Sequence, residues 1–156
     1  MSSARASDIY NYLELDAKLA TSGQPSVEEL AALAHEGVEV VINLALHDDP
    51  RYSLPDETAS VTALGMSYVH IPVKFDAPTE HDLRAFFGAM DAHAGRKTLV
   101  HCAANKRVTS FIGLYRVIRQ GVDRDTAFEP MRTIWEPNPV WAAFTEEMLA
   151  KRASLR

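Results

Sequence analysis

The sequence predicts an α/β protein: a mostly parallel central sheet with helices on both faces, packed as a three-layer sandwich. Three observations predict it. Short β-branched apolar runs alternate with helical patterns along the chain, as parallel strands joined by crossover helices do. Two runs, VEVVINLAL at 38–46 and TLVHC at 98–102, are apolar at nearly every position, as strands covered on both faces must be. Capping residues and glycines punctuate the intervals where helices should start and stop.

Taken in order, NYLEL and LATS predict two short strands around Asp16. Ser26 reads as an N-cap with Glu29 completing a capping box, and Gly37 stops that helix after about Glu36. The run at 38–46 is the central strand, and HDDPRYSL a loop. Pro55 to Leu64 predicts a helix with proline in its first turn and Gly65 at its end. MSYVHIPV (66–73) is the next strand, followed by the loop KFDAP. Thr79 with Asp82 caps a helix whose Leu83, Phe86, Phe87 and Met90 share a face, and Gly95 ends it. After the strand at 98–102, a helix is expected to start at Thr109 or Ser110. It should run through Arg119, with Phe111, Leu114, Tyr115 and Ile118 as its core stripe. The tail predicts a helix near 125–134, a break around Pro137 and Pro139, and a last helix from about Val140 to Arg152. Trp135 and Trp141 are expected as core anchors.

At 156 residues the chain is expected to form one domain, 1–156, burying roughly two-thirds of its unfolded surface. A net charge of -5, from 16 basic and 21 acidic residues, gives no bulk attraction to nucleic acid or an anionic membrane. Cys102 is the single cysteine, so no disulfide forms within the chain, and a free thiol persists most easily in a reducing compartment. MSSARASDIYNYLEL lacks the apolar core of a secretory signal, and no run has the length of a membrane span. The expected location is the cytoplasm. His35, His47, His70, His81 and His93 show no ligand spacing, and no metal or cofactor is expected.

In open α/β sheets, ligands bind beyond the carboxyl ends of the strands. The loops 47–54, 74–78 and 102–108 meet that condition. The last lies within LVHCAANKRVTSF, where an apolar strand runs through His101 into Cys102 and a short turn leads through Arg107 into a helix. Strand, tight loop and helix gather unpaired N–H groups around an anion, and the helix macrodipole adds partial positive charge. A thiol at that mouth is pushed toward thiolate, and Arg107 offers forked donors to an oxyanion. Ala103 and Ala104 are small enough for close backbone approach, and Asn105 tolerates the left-handed torsion a tight loop needs. Lys106 is a candidate contact for an anionic substrate, the other reading being a solvated surface charge.

VHCAANKRVTSF resembles the signature loop of the cysteine-dependent tyrosine and dual-specificity phosphatases: His-Cys, five residues, Arg, Ser/Thr. LATSGQPSVEELAALAHEGVEVVINLAL and YVHIPVKFDAPT resemble the opening segment and the acid loop of small bacterial members, so the likeness covers most of 19–120. It implies the cysteine-phosphatase sandwich and hydrolysis of phosphate monoesters, with a phosphorylated small molecule or phosphoprotein as substrate. Cys102 is then the nucleophile, Arg107 and the loop amides of residues 103–108 hold the oxyanion, and an acid in the second loop protonates the leaving oxygen. Asp76 is the first candidate, with Asp48 and Asp49 in reserve. The resemblance also implies that His101 helps keep the thiol ionised. It gives Thr109, or Val108 in its place, the position of the hydroxyl that assists breakdown of the phosphocysteine. Asn138 is a further candidate to reach the site.

The loop departs from that pattern in length. Only four residues separate Cys102 from Arg107, the spacing of rhodanese-type sulfurtransferases, and Asn105 stands where glycine is common. A shorter ring suits one persulfide sulfur better than a tetrahedral phosphate. Sulfur transfer through a Cys102 persulfide, and phosphate binding without turnover, are therefore the alternatives.

Overall fold

The computed structural model describes residues 4–48 and 53–156. Five strands form one sheet: β1 (Leu13–Asp16), β2 (Leu19–Ser22), β3 (Val40–Asn43), β4 (Ser67–His70) and β5 (Thr98–His101). The order across the sheet is β1-β2-β5-β3-β4, antiparallel only between β1 and β2. A short 3-10 helix (Ala6–Asp8) and eight α-helices complete the described fold: α1 (Val27–His35), α2 (Glu57–Ala63), α3 (Glu80–Ala92), α4 (Lys106–Ile118), α5 (Arg124–Ala127), α6 (Glu129–Ile134), α7 (Pro139–Ala150) and α8 (Arg152–Leu155).

Strand alternation divides the core into two layers. Val41 and Leu99 face α1 and α2, packing with Leu30, Leu33 and Val61. Val40, Ile42 and Val100 face the opposite way, toward Leu83, Phe86 and Phe87 of α3 and Phe111, Ile112 and Leu114 of α4. Trp141 of α7 is fully buried in this second layer, whereas Trp135 is only partly covered. The expected helices-on-both-faces architecture is what forms.

Element boundaries moved for local reasons. The strand expected over 38–46 ends at Asn43, because the Asn43 side chain accepts a hydrogen bond from the Ala45 N–H at 2.8 Å and turns the chain. The strand expected over 66–73 stops at His70, since Pro72 has no N–H to donate. Ile71 and Val73 still donate to the carbonyls of Asn43 and Leu44. The helix expected near 125–134 is two helices meeting at Phe128, because Pro130 cannot bond back to the preceding turn.

The largest correction is at α4, which begins at Lys106 rather than at Thr109 or Ser110. Asn105 takes φ 66°, ψ 7° and completes the turn out of β5 in one residue, so the helix starts early. Arg107 thereby sits inside the helix's first turn instead of before it.

Candidate active site

Three parallel strands deliver this site. Ser22, His101 and Asn43 lie side by side at the carboxyl ends of β2, β5 and β3. From β5 the chain passes through Cys102, Ala103, Ala104 and Asn105 into α4. Asn105 does not cap the helix with its side chain. Its amide donates to the Asn11 carbonyl at 2.8 Å and to Thr21 Oγ1 at 2.9 Å. Asn11, also left-handed at φ 52°, answers by donating to the Ala104 carbonyl at 3.1 Å. The Gln24 N–H donates to the Ala103 carbonyl at 3.1 Å, and Gly23 bridges to Ala104. A Cβ on Gly23 would stand 2.6 Å from the Ala103 carbonyl oxygen, so only glycine allows this approach. The SGQP run is a brace that holds the Cys102 loop in shape.

Cys102, Ala103, Ala104, Lys106 and Arg107, with Phe75, line a pocket of about 180 Å³. Cys102 is 1% exposed and joins the apolar cluster that contains Val100, Val108 and Phe111. Arg107 is 8% exposed. Its Nη1 donates to the Val73 carbonyl at 2.8 Å, and its guanidinium lies 5.8 Å from the centre of the Phe75 ring. Its Nε is buried without a partner. Burying a guanidinium N–H without an acceptor is costly, and an anion oxygen in the pocket would satisfy it. The head of α4 adds to the positive field, for its first turn holds Lys106 and Arg107 and no acid. A larger cavity of about 480 Å³ opens among α5, α6 and α7, but no residue of the Cys102 loop lines it.

Of the other site residues expected from sequence, several are engaged elsewhere. The Thr109 hydroxyl donates to the Asn105 carbonyl at 2.8 Å, within its own helix. Val108 is fully buried in the core, and Asn105 braces the loop from outside the pocket. Asn138 caps α7, its Oδ1 accepting from the Trp141 N–H at 3.0 Å. Asp76 is exposed in the loop after β4, next to Phe75. That loop is tied down: the Trp141 indole donates to the Phe75 carbonyl at 2.7 Å, and Phe75 packs against Trp135 and Trp141. Asp48 is exposed beyond β3, and Asp49 lies outside the described residues.

On the other face of the sheet is a contact that sequence reasoning did not single out. His101 Nε2 lies 2.6 Å from Glu57 Oε2, both side chains fully buried. Glu57 Oε1 accepts from Gln24 Nε2 at 2.8 Å. Burial pushes the Glu57 carboxyl up, but the His101 hydrogen bond and charge, with the Gln24 amide, outweigh it. The carboxyl is held below its usual range. Nearby, Asn43 donates to the Tyr68 hydroxyl at 3.0 Å, and burial raises that hydroxyl's pKa far above its ordinary value. His47 and His70 stack at 4.5 Å, and burial followed by the charge of His70 lowers the His47 pKa. No signal in the sequence marks Glu57, since an acid in a helix's first turn is ordinarily solvated there. Among the described residues, no group of three or more His, Cys, Asp or Glu side chains is placed to hold a metal.

A thiol and a buried arginine meet at the head of a helix, after the central strand of such a sheet, and comparison with known proteins places the chain in a family. The family model described as DSP-PTPase phosphatase fused to NAD+ kinase matches residues 2–143, and the chain belongs to this family. A DUF442 protein of Shewanella putrefaciens CN-32, described as a candidate phosphatase, is 36% identical in sequence. Its structure superposes with a TM-score of 0.84, covering 94% of this chain and 95% of that one. TpbA of P. aeruginosa, 18% identical in one of its structures, shares the fold, that structure superposing at a TM-score of 0.74 over 99% of this chain and 94% of its own. A Beta-lactamase hydrolase-like protein of Xylella fastidiosa is 32% identical over 115 residues, which cover 72% of this chain. The chain spans only 26% of that relative's length.

Proposed function

We propose that the chain hydrolyses phosphate monoesters through a phosphocysteine intermediate. The observation that supports this most is the meeting, in one small pocket, of the Cys102 thiol and a buried Arg107 whose Nε lacks a partner. In this reading Cys102 Sγ attacks phosphorus, and the bond from phosphorus to the leaving oxygen breaks as Asp76 delivers a proton to that oxygen. Arg107 and the amides of the loop and of the α4 head bear the equatorial oxygens, where charge stabilisation contributes most. Water then cleaves the S–P bond and restores the thiol. Phe75, 37% exposed beside the loop, forms an apolar wall for the leaving group. The substrate class is a phosphorylated small molecule or phosphoprotein, and a free thiol of this kind suits the cytoplasm. No helix among the described residues is long and apolar enough to cross a membrane.

Release of phosphate from an aryl phosphate tests the reading. Cys102→Ser is expected to abolish it, and turnover unaffected by that change would overturn the mechanism. Thiocyanate formed from thiosulfate and cyanide, with a persulfide on Cys102, would select sulfur transfer instead. Phosphopeptide binding without turnover, retained in Cys102→Ser, would select a binding module. Asp76→Asn should slow esters with poor leaving groups far more than those with good ones. If Asp48→Asn shows that dependence instead, the acid is Asp48.

A further inference from the structure

We propose that Glu57 is a positioning residue for the nucleophile, its buried carboxylate holding His101 as an imidazolium directed at the Cys102 peptide and so keeping the thiol reactive in mild acid. The inference rests on the reading of Cys102 as nucleophile and deepens it.

The proton count at His101 carries the inference. His101 Nε2 faces Glu57 Oε2 at 2.6 Å, and His101 Nδ1 faces the Cys102 carbonyl oxygen at 3.3 Å. A carbonyl oxygen can only accept, and an ionised carboxylate can only accept, so both ring nitrogens donate. A ring that donates twice is cationic. The second oxygen of Glu57 takes the Gln24 amide, which accepts nothing from it and favours the anion. A fully buried carboxylate needs a counterion, and among the described residues His101 is its ion-pair partner.

The neighbouring groups do not compete for that role. Tyr68, from β4, stays neutral because burial holds its proton. His47, beyond β3, is held toward its neutral form by burial and by His70. The His101 charge therefore acts in two directions, on Glu57 through one nitrogen and on the peptide linking Cys102 to Ala103 through the other. Polarising that peptide places positive charge next to the nucleophile. Because His101 and Cys102 are consecutive in an extended chain, the carboxylate acts from across the sheet without entering the pocket.

Alkylation of Cys102 by iodoacetamide, followed across pH, reads this without requiring turnover, so it stands apart from whether any phosphate ester is cleaved. Glu57→Gln keeps the size of the side chain but removes its charge and exchanges one of its two accepting oxygens for a donor. The folded variant is expected to be alkylated about tenfold more slowly in mild acid and to converge with the wild type in base, where any thiol is ionised. Identical profiles would overturn the proposal. So would uniform slowing at every pH, which is the mark of a merely structural role. Should Glu57→Gln not fold, nitrogen NMR of the wild-type protein decides: both His101 ring nitrogens protonated near ~pH 7.5 support the proposal, and a neutral ring overturns it.

Discussion

The heads of α3 and α4 solve the same physical problem in opposite ways. Each helix starts with N–H groups that have no partner within it. At α3, Thr79 accepts from the Asp82 N–H at 3.1 Å, Asp82 accepts from the Thr79 N–H at 3.2 Å, and Glu80 adds negative charge. That head is satisfied by its own residues. At α4 the N-cap Asn105 gives its side chain to Asn11 and Thr21, no acid occupies the first turn, and Lys106 and Arg107 stand where the macrodipole disfavours cations. The comparison teaches that α4 gives up local stability to present a positive, unsatisfied head beside Cys102.

The most severe way to break the contrast is Arg107→Lys, which keeps the charge but loses the fork and the bond to Val73. We expect kcat for an aryl phosphate to fall about 10²–10³-fold with the folded spectrum retained. Near-normal turnover would remove Arg107 from the site.

Removing the buried acid behind the loop comes next. Glu57→Ala leaves His101 without its counterion and should cost about 3–5 kcal/mol in denaturant unfolding. The pH sign follows from the depressed carboxyl. Because the folded value lies below the usual 4.5, the contribution is present above that pH and lost as acid protonates Glu57. The stability gap between wild type and Glu57→Ala should therefore narrow in acid, and a gap that widens would contradict the pairing.

Gly23→Ala attacks the brace rather than the helix head. The added Cβ meets the Ala103 carbonyl at 2.6 Å and the Tyr10 side chain at 2.8 Å, so stability should drop by about 1–3 kcal/mol and vanadate affinity should fall with it. Thr79→Ala, at the self-satisfied head, should cost about 1 kcal/mol and leave vanadate affinity unchanged. The smallest effect sharpens the comparison most. Lys106→Glu makes the α4 head resemble that of α3, and should raise stability by about 0.3–1 kcal/mol while weakening vanadate binding. Gains in both stability and affinity would refute the idea that the two are exchanged at this helix.

Much of this architecture was legible beforehand. The buried strands, the capping boxes at Ser26 and Thr79, and the glycine stops at Gly37, Gly65 and Gly95 all follow from local rules: apolar periodicity, side-chain caps and positive φ. Cys102 and Arg107 could be paired in advance because they are neighbours in sequence around one loop. The start of α4 could not, since it depends on Asn105 adopting a left-handed turn that Asn11 and Thr21, distant in sequence, hold in place.

What the amino-acid order determined alone is whatever depends on a few adjacent residues: the alternation of strands and helices, their caps, and a thiol followed by an arginine at a helix head. Tertiary structure decided what depends on burial and long-range partners. It chose Glu57 as the partner of His101, Gly23 as the clamp on Ala103, Trp141 as the tether of the Phe75 loop, and Val73 as the acceptor for Arg107. A carboxylate or an indole reads the same in sequence whether it meets water or another side chain, and only packing against the sheet removes the water that makes those contacts strong.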